Sequence, residues 1–276
     1  MKIQTVPARR GALWVRQGFQ IFFKRPLAFA ALFATFMFGV LVLALLPFVG
    51  ALLVLALLPL VSLAFMLATQ LALAGTTPTA RVFVEPLRGP TAQRNAMIQL
   101  GVVYAVATFA VLWLSDVVDG GAFEALMDAM PAAKTSPDAV AAKLAAPGLG
   151  LGLLLRFGIA GLLAVPFWHA PALVHFEGQG CAQALFSSTL ACWRNRGAFM
   201  VYSAVWFVVI VVFGLFGGMV FALLGQAPLF AVAAVPLSLM FTTVFYVSLY
   251  FTFADNFVVE DAPPAPALVP PPADLA

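Results

Sequence analysis

The sequence predicts an all-α polytopic membrane protein with six transmembrane helices, and three observations lead there. First, 63% of its residues are apolar and only 9% charged, with a mean hydropathy of +1.05; soluble domains carry about 25% charged residues. Second, no charged residue lies between Arg25 and Arg81, a gap of 55 positions. As one helix that gap would measure roughly 80 Å against a hydrocarbon core of about 30 Å, so it must fold back, and Pro47-Phe48-Val49-Gly50 offers the turn. Third, basic residues crowd alternate loops, the signature of repeated crossings under the positive-inside rule.

Three parts follow in order. Residues 1–25 form a basic arm, residues 26–253 hold the spans, and residues 254–276 form a proline-rich tail expected to be a disordered cytoplasmic end. The arm is too long for a signal-peptide basic region, and no small-residue cleavage site follows, so the first span is read as retained. Apolar windows at 26–46, 50–74, 97–115, 149–170, 199–224 and 228–253 give the six crossings.

Lys2, Arg9, Arg10, Arg16, Lys24 and Arg25 precede span one, Arg81, Arg88 and Arg94 follow span two, and Arg194 and Arg196 follow span four. The segment 116–148 between spans three and four has only Lys134 and Lys143 beside Asp116, Asp119, Glu124, Asp128 and Asp138. That asymmetry predicts cytoplasmic termini, an inner-membrane address and an outward acidic segment. Within the segment, "GAFEALMDAM" suits a short helix. Ser136-Pro137-Asp138 supplies an N-cap, a first-turn proline and an acid for a second helix over 137–146, stopping at Pro147-Gly148.

The stretch "ALWVRQGFQIFFKRP" (12–26) has helical amphipathicity. Arg9, Arg16, Gln17, Gln20 and Lys24 share one face, with Leu13 the misfit, and Trp14, Val15, Phe19, Ile21, Phe22 and Phe23 cover the rest. Such a helix beside a span is expected to lie in the cytoplasmic interface and favour an anionic leaflet. Residues of about 182–196 repeat the plan, with Phe186, Leu190 and Trp193 at i, i+4 and i+7. Arg9, Trp14, Arg16, Lys24, Arg25, Trp193, Arg194 and Arg196 are the expected membrane-interface residues. "RPLA", "RNAM" and "RGAF" each introduce a span, which suggests three hairpin units, each behind a basic segment. Alternating topology would place arginines there without any duplication.

The stretches "GALWVRQGFQIFFKRPLAF" and "APALVHFEGQGCAQALFSSTLACWRNRGAF", with the hydrophobic layout of most of the chain, resemble a family of multi-pass inner-membrane proteins of proteobacteria that carries no assigned activity. The resemblance implies address and architecture only.

Candidate sites are few. Arg156 falls within span four, where an ionisable side chain is either functional or an anchor reaching the interface, with Asp116 as a candidate partner. His169, His175 and Glu177 are weak metal-ligand candidates, lacking i, i+4 spacing and a fourth ligand. Cys181 and Cys192, three helical turns apart, are too distant for a disulfide on one helix. Gly148/Gly152 and Gly214/Gly218 suit close helix packing, and Pro59, Pro166 and Pro236 interrupt spans two, four and six.

No phosphate loop, HExxH, GxSxG or paired-cysteine zinc motif occurs, and no predicted span contains Asp or Glu. The expectation is a non-enzymatic protein without cofactors, organising or binding membrane lipid, a protein partner or another copy of itself, and not nucleic acid. A small-solute permease using Arg156 is the alternative, and a membrane enzyme using the histidines the third reading.

Overall fold

The computed structural model describes residues 2–47, 49–130 and 137–258. Among these, six helical segments are long and apolar enough to cross a membrane: Pro26–Ala44, Gly50–Leu73, Thr91–Asp119, Leu149–Glu177, Arg196–Leu223 and Val232–Asn256. The protein is an all-α polytopic membrane protein. The crossings begin with α2 (Pro26–Ala44), α3 (Gly50–Leu73) and α4 (Thr91–Asp119). Span four is a composite of α7 (Leu149–Leu153), a π-helical stretch (Leu154–Ile159), α8 (Ala160–Phe167) and α9 (Ala170–Glu177). Spans five and six are α11 (Arg196–Leu223) and α12 (Ala227–Asn256), and α1 (Arg10–Lys24) and α10 (Cys181–Arg194) each precede a hairpin.

Proline placement explains several boundaries. Pro26 starts α2, where its missing N–H costs no hydrogen bond. Pro86 and Pro90 interrupt any helix before span three and leave only the 3-10 turns Ala80–Phe83 and Glu85–Leu87. Span four breaks at Trp168-His169, between Pro166 and Pro171. Between α4 and α7 lie α5 (Ala122–Ala129) and α6 (Pro137–Leu144), and α6 ends before Pro147-Gly148. The Ser136 cap expected for α6 and most of the tail, residues 259–276, lie outside the described residues. The start of that tail is structured: residues 254–256 complete α12, and Phe257–Val258 form β2. This strand pairs antiparallel with β1 (Lys2–Ile3), joining the two ends of the described chain.

One expectation is corrected by packing. Most of the aromatic face of α1 packs into protein: Trp14 is 0% exposed, and Val15, Ile21 and Phe22 are buried with it, while Phe23 stays 60% exposed. They enter a core built from α2, α3, α11 and α12, including Phe29, Phe65, Tyr202 and Val244. Glycines make the approach possible. A Cβ on Gly11 would overlap the Ala198 carbonyl oxygen, and one on Gly18 would press on Ser248 and the Val244 carbonyl. The polar face does stay outward, with Arg9, Arg16, Gln20 and Lys24 exposed. A second core joins α3, α4, α9, α10 and α12 around Leu63, Leu100, Leu173 and Phe253.

Gly11→Ala and Gly18→Ala should therefore each destabilise the detergent-solubilised protein by about 1 to 3 kcal/mol. Gly39→Ala, on α2 where a Cβ meets nothing within 4 Å, should be neutral or gain up to about 1 kcal/mol from helix propensity. Thermal melting checks the set, and equal melting of all three would contradict the close seating of α1.

Candidate functional site

Polar side chains that cannot reach water must find one another in a membrane protein, and they do so here at two places. The first is the end of the bundle where β1 and β2 pair. Arg10 donates from Nε to Asp255 Oδ2 at 2.6 Å and from Nη2 to Oδ1 at 2.5 Å, and Trp14 Nε1 donates to the same Oδ2 at 2.5 Å. Asn195, between α10 and α11, accepts from the Val6 N–H at 2.8 Å and donates to the Gln4 carbonyl at 2.9 Å. The extended start of the chain is thus held by the last turn of α12 and the start of α11.

Behind this lock lies His169, 0% exposed, with Nε2 3.2 Å from Asn256 Nδ2. Its backbone N–H donates to Ser188 Oγ at 3.0 Å, and that hydroxyl donates to the Val165 carbonyl at 3.1 Å. Ser188 thereby bridges the break in span four and ties it to α10. Trp168 donates to Thr252 at 3.1 Å, and Tyr202 and Ser248 share a hydrogen bond at 2.6 Å. The three metal-ligand candidates do not converge. His169 faces Asn256, His175 lies against Phe176, and Glu177 is exposed. Among the described residues no group of three His, Cys, Asp or Glu could hold a metal.

The second place is the opposite end, around Arg156. The π-helical stretch re-phases span four and carries Arg156 inward to 8% exposure. Its Nη2 contacts Asp116 Oδ1 and lies 3.8 Å from Asp119 Oδ2, while its guanidinium sits 3.9 Å over the Phe123 ring. Asp119 is buried and also accepts from the Gly121 N–H at 2.8 Å. Gly152 makes this possible, since a Cβ there would meet the Asp119 side chain, and Gly148, at φ +85°, lies beside it. Arg156 thus points into the protein, and α4 runs on to include both acids. The Gly148/Gly152 pair serves this internal contact.

The membrane-interface candidates divide. Trp14 is in the core, whereas Arg25 donates to Thr77 Oγ1 at 2.5 Å and to the Gly75 carbonyl, tying α1 to the end of α3. On α10 the expected stripe does face outward, Phe186 at 69%, Leu190 at 37% and Trp193 at 68% exposure. Arg194 and Arg196 are exposed beside it, with the Arg196 guanidinium 5.6 Å from the Trp193 ring. The other face of α10, Ala184, Ser188, Ala191 and Cys192, is buried. Sequence reading missed Arg10, Asn195, Asp255 and Asn256 as a group. The available signal was an acid directly after span six, where a buried tryptophan N–H and an arginine needed an acceptor.

Burial pushes the Cys192 thiol up to about 12, against a weaker opposing hydrogen bond from Ser188, and raises Cys181 less far. Neutral maleimide should therefore modify Cys181 well before Cys192 in the folded protein and both after denaturation, read by intact mass. Arg156→Gln should cost about 3 kcal/mol by leaving Asp119 buried without its cation, and Arg156→Met with Asp119→Asn should recover part of that loss in a thermal melt.

No family model and no solved structure matches the chain. It is 34% identical over 272 residues to the probable inner membrane protein BTH_II0599 of Burkholderia thailandensis, covering 97% of this chain and 98% of that one. With six apolar spans and a likeness running almost end to end, the chain belongs to the same family as that Burkholderia protein and is an integral, multi-pass protein of the inner membrane.

Proposed function

We propose that this protein is a non-enzymatic organiser of the inner membrane that holds anionic lipid or a protein partner at its cytoplasmic side. The observation that carries the reading is α10, whose buried small face fixes it to the bundle and leaves Phe186, Leu190 and Trp193 outward beside Arg194 and Arg196. An apolar stripe next to cations on a rigid mount suits the boundary between headgroups and acyl chains. The positive-inside rule supports placing this end, both chain ends and the exposed face of α1 in the cytoplasm.

The permease reading has less support, because Arg156 is engaged by Asp116, Asp119 and Phe123. The separation of His169, His175 and Glu177 likewise weakens the enzyme reading.

Replacing Phe186, Leu190 and Trp193 together by serine should release lipid or partner that co-purifies with the native protein, seen by native mass spectrometry, while the melting temperature holds. Unchanged co-purification would retire the organising role of α10. A membrane-impermeant maleimide should spare Cys181 in intact cells and label it in inverted vesicles, and the reverse pattern would invert the orientation.

A further inference from the structure

Above α10 the outer walls of α8 and α11 separate and leave a groove of about 440 Å³, lined by Gly161 and Val165 on one side and Phe199, Met200 and Ser203 on the other, with Trp193 and Arg196 at its mouth. We infer that this groove is a binding site for one anionic phospholipid, with the headgroup phosphate at Arg196 and an acyl chain between α8 and α11. This deepens the organising reading above and rests on it.

Charge and shape support this occupant. Arg196 is exposed, and among the described residues no carboxylate pairs with it. The Trp193 ring supports its guanidinium from one side, leaving the planar donors free for a phosphate. Arg196 is also the first residue of α11, where the helix dipole adds positive potential. No acidic side chain lines the groove. From Arg196 to Ser203 the wall of α11 rises about 10 Å, so a chain anchored at the arginine runs along apolar surface for two turns. At Gly161, which is exposed, a Cβ would meet nothing within 4 Å. This glycine keeps the groove open, and a larger side chain there can fill it without disturbing the bundle.

The test uses the full-length protein in phosphatidylcholine nanodiscs doped with phosphatidylglycerol, followed by release into the mass spectrometer and counting of retained lipid. The wild type should keep one phosphatidylglycerol in preference to phosphatidylcholine. Arg196→Gln should reduce that retention roughly tenfold, the loss of one charge-assisted contact. Gly161→Phe should reduce it comparably by filling the groove with all charges in place. The double variant Arg16→Gln, Lys24→Gln removes two exposed cations from α1 and should leave retention unchanged.

If the α1 double variant loses as much lipid as Arg196→Gln, the attraction is spread over the surface, and the groove fails while the broader organising reading stands. Retention by Gly161→Phe at the wild-type level likewise overturns the groove. A wild type with no preference for phosphatidylglycerol overturns the groove and removes the lipid form of the organising reading as well.

Discussion

The Asp255 carboxylate, with both oxygens engaged by Arg10 and one shared with Trp14, is the contact on which the arrangement depends. An unpaired carboxylate or guanidinium at the edge of hydrocarbon carries a desolvation cost that only a close partner offsets. Here the partners lie 245 residues apart in sequence. Their pairing fixes where α1 crosses α12, and the glycines of α1 then let its backbone settle against α11 and α12. Trp14 follows into a ring of aromatic side chains, with Phe199 at 5.3 Å and Tyr202 at 6.0 Å between centroids. The β1–β2 pair and the Asn195 bridge extend the same closure to the first residues of the chain.

Much of this architecture was legible because a hydrocarbon slab imposes simple lengths. The six crossings, the turn near Pro47 and the two short helices after α4 follow from apolar run length and proline position. The fate of α1 was not legible, since an amphipathic helix with one aromatic face satisfies an interface and a groove in protein equally well by pattern. The distinguishing clue was the small-residue spacing of Gly11 and Gly18, seven apart, on the same stripe as Val15 and Phe22. Such spacing marks a face that meets another helix at short range. The Arg156–Asp116 proximity was readable from their levels in neighbouring spans. The part of Asp119 was not, because it needed the extra helical turn of α4 beyond residue 115 and the gap left by Gly152.

Basic or polar segments precede each hairpin, but they are used differently. α1 turns its aromatic side into the bundle, α10 turns its aromatic side out, and the central segment is reduced to two short turns by its prolines. What distinguishes the first two is the composition of the contacting face. α10 meets the bundle through Ala184, Ser188, Ala191 and Cys192, leaving its large side chains outside, whereas α1 uses glycines to bring its large side chains in. Two helices that each precede a hairpin thus yield one internal brace and one outward-facing surface.

The strand pairing of residues 2–3 with 257–258 bears on the order of assembly. α1 leaves the ribosome well before α11 and α12, whose side chains surround Trp14. Until they are inserted, neither the aromatic ring that takes Trp14 nor the carboxylate that holds Arg10 is in place. α1 therefore takes its seat only after Asp255 has been made. The seating of this helix waits on a residue made 245 positions later.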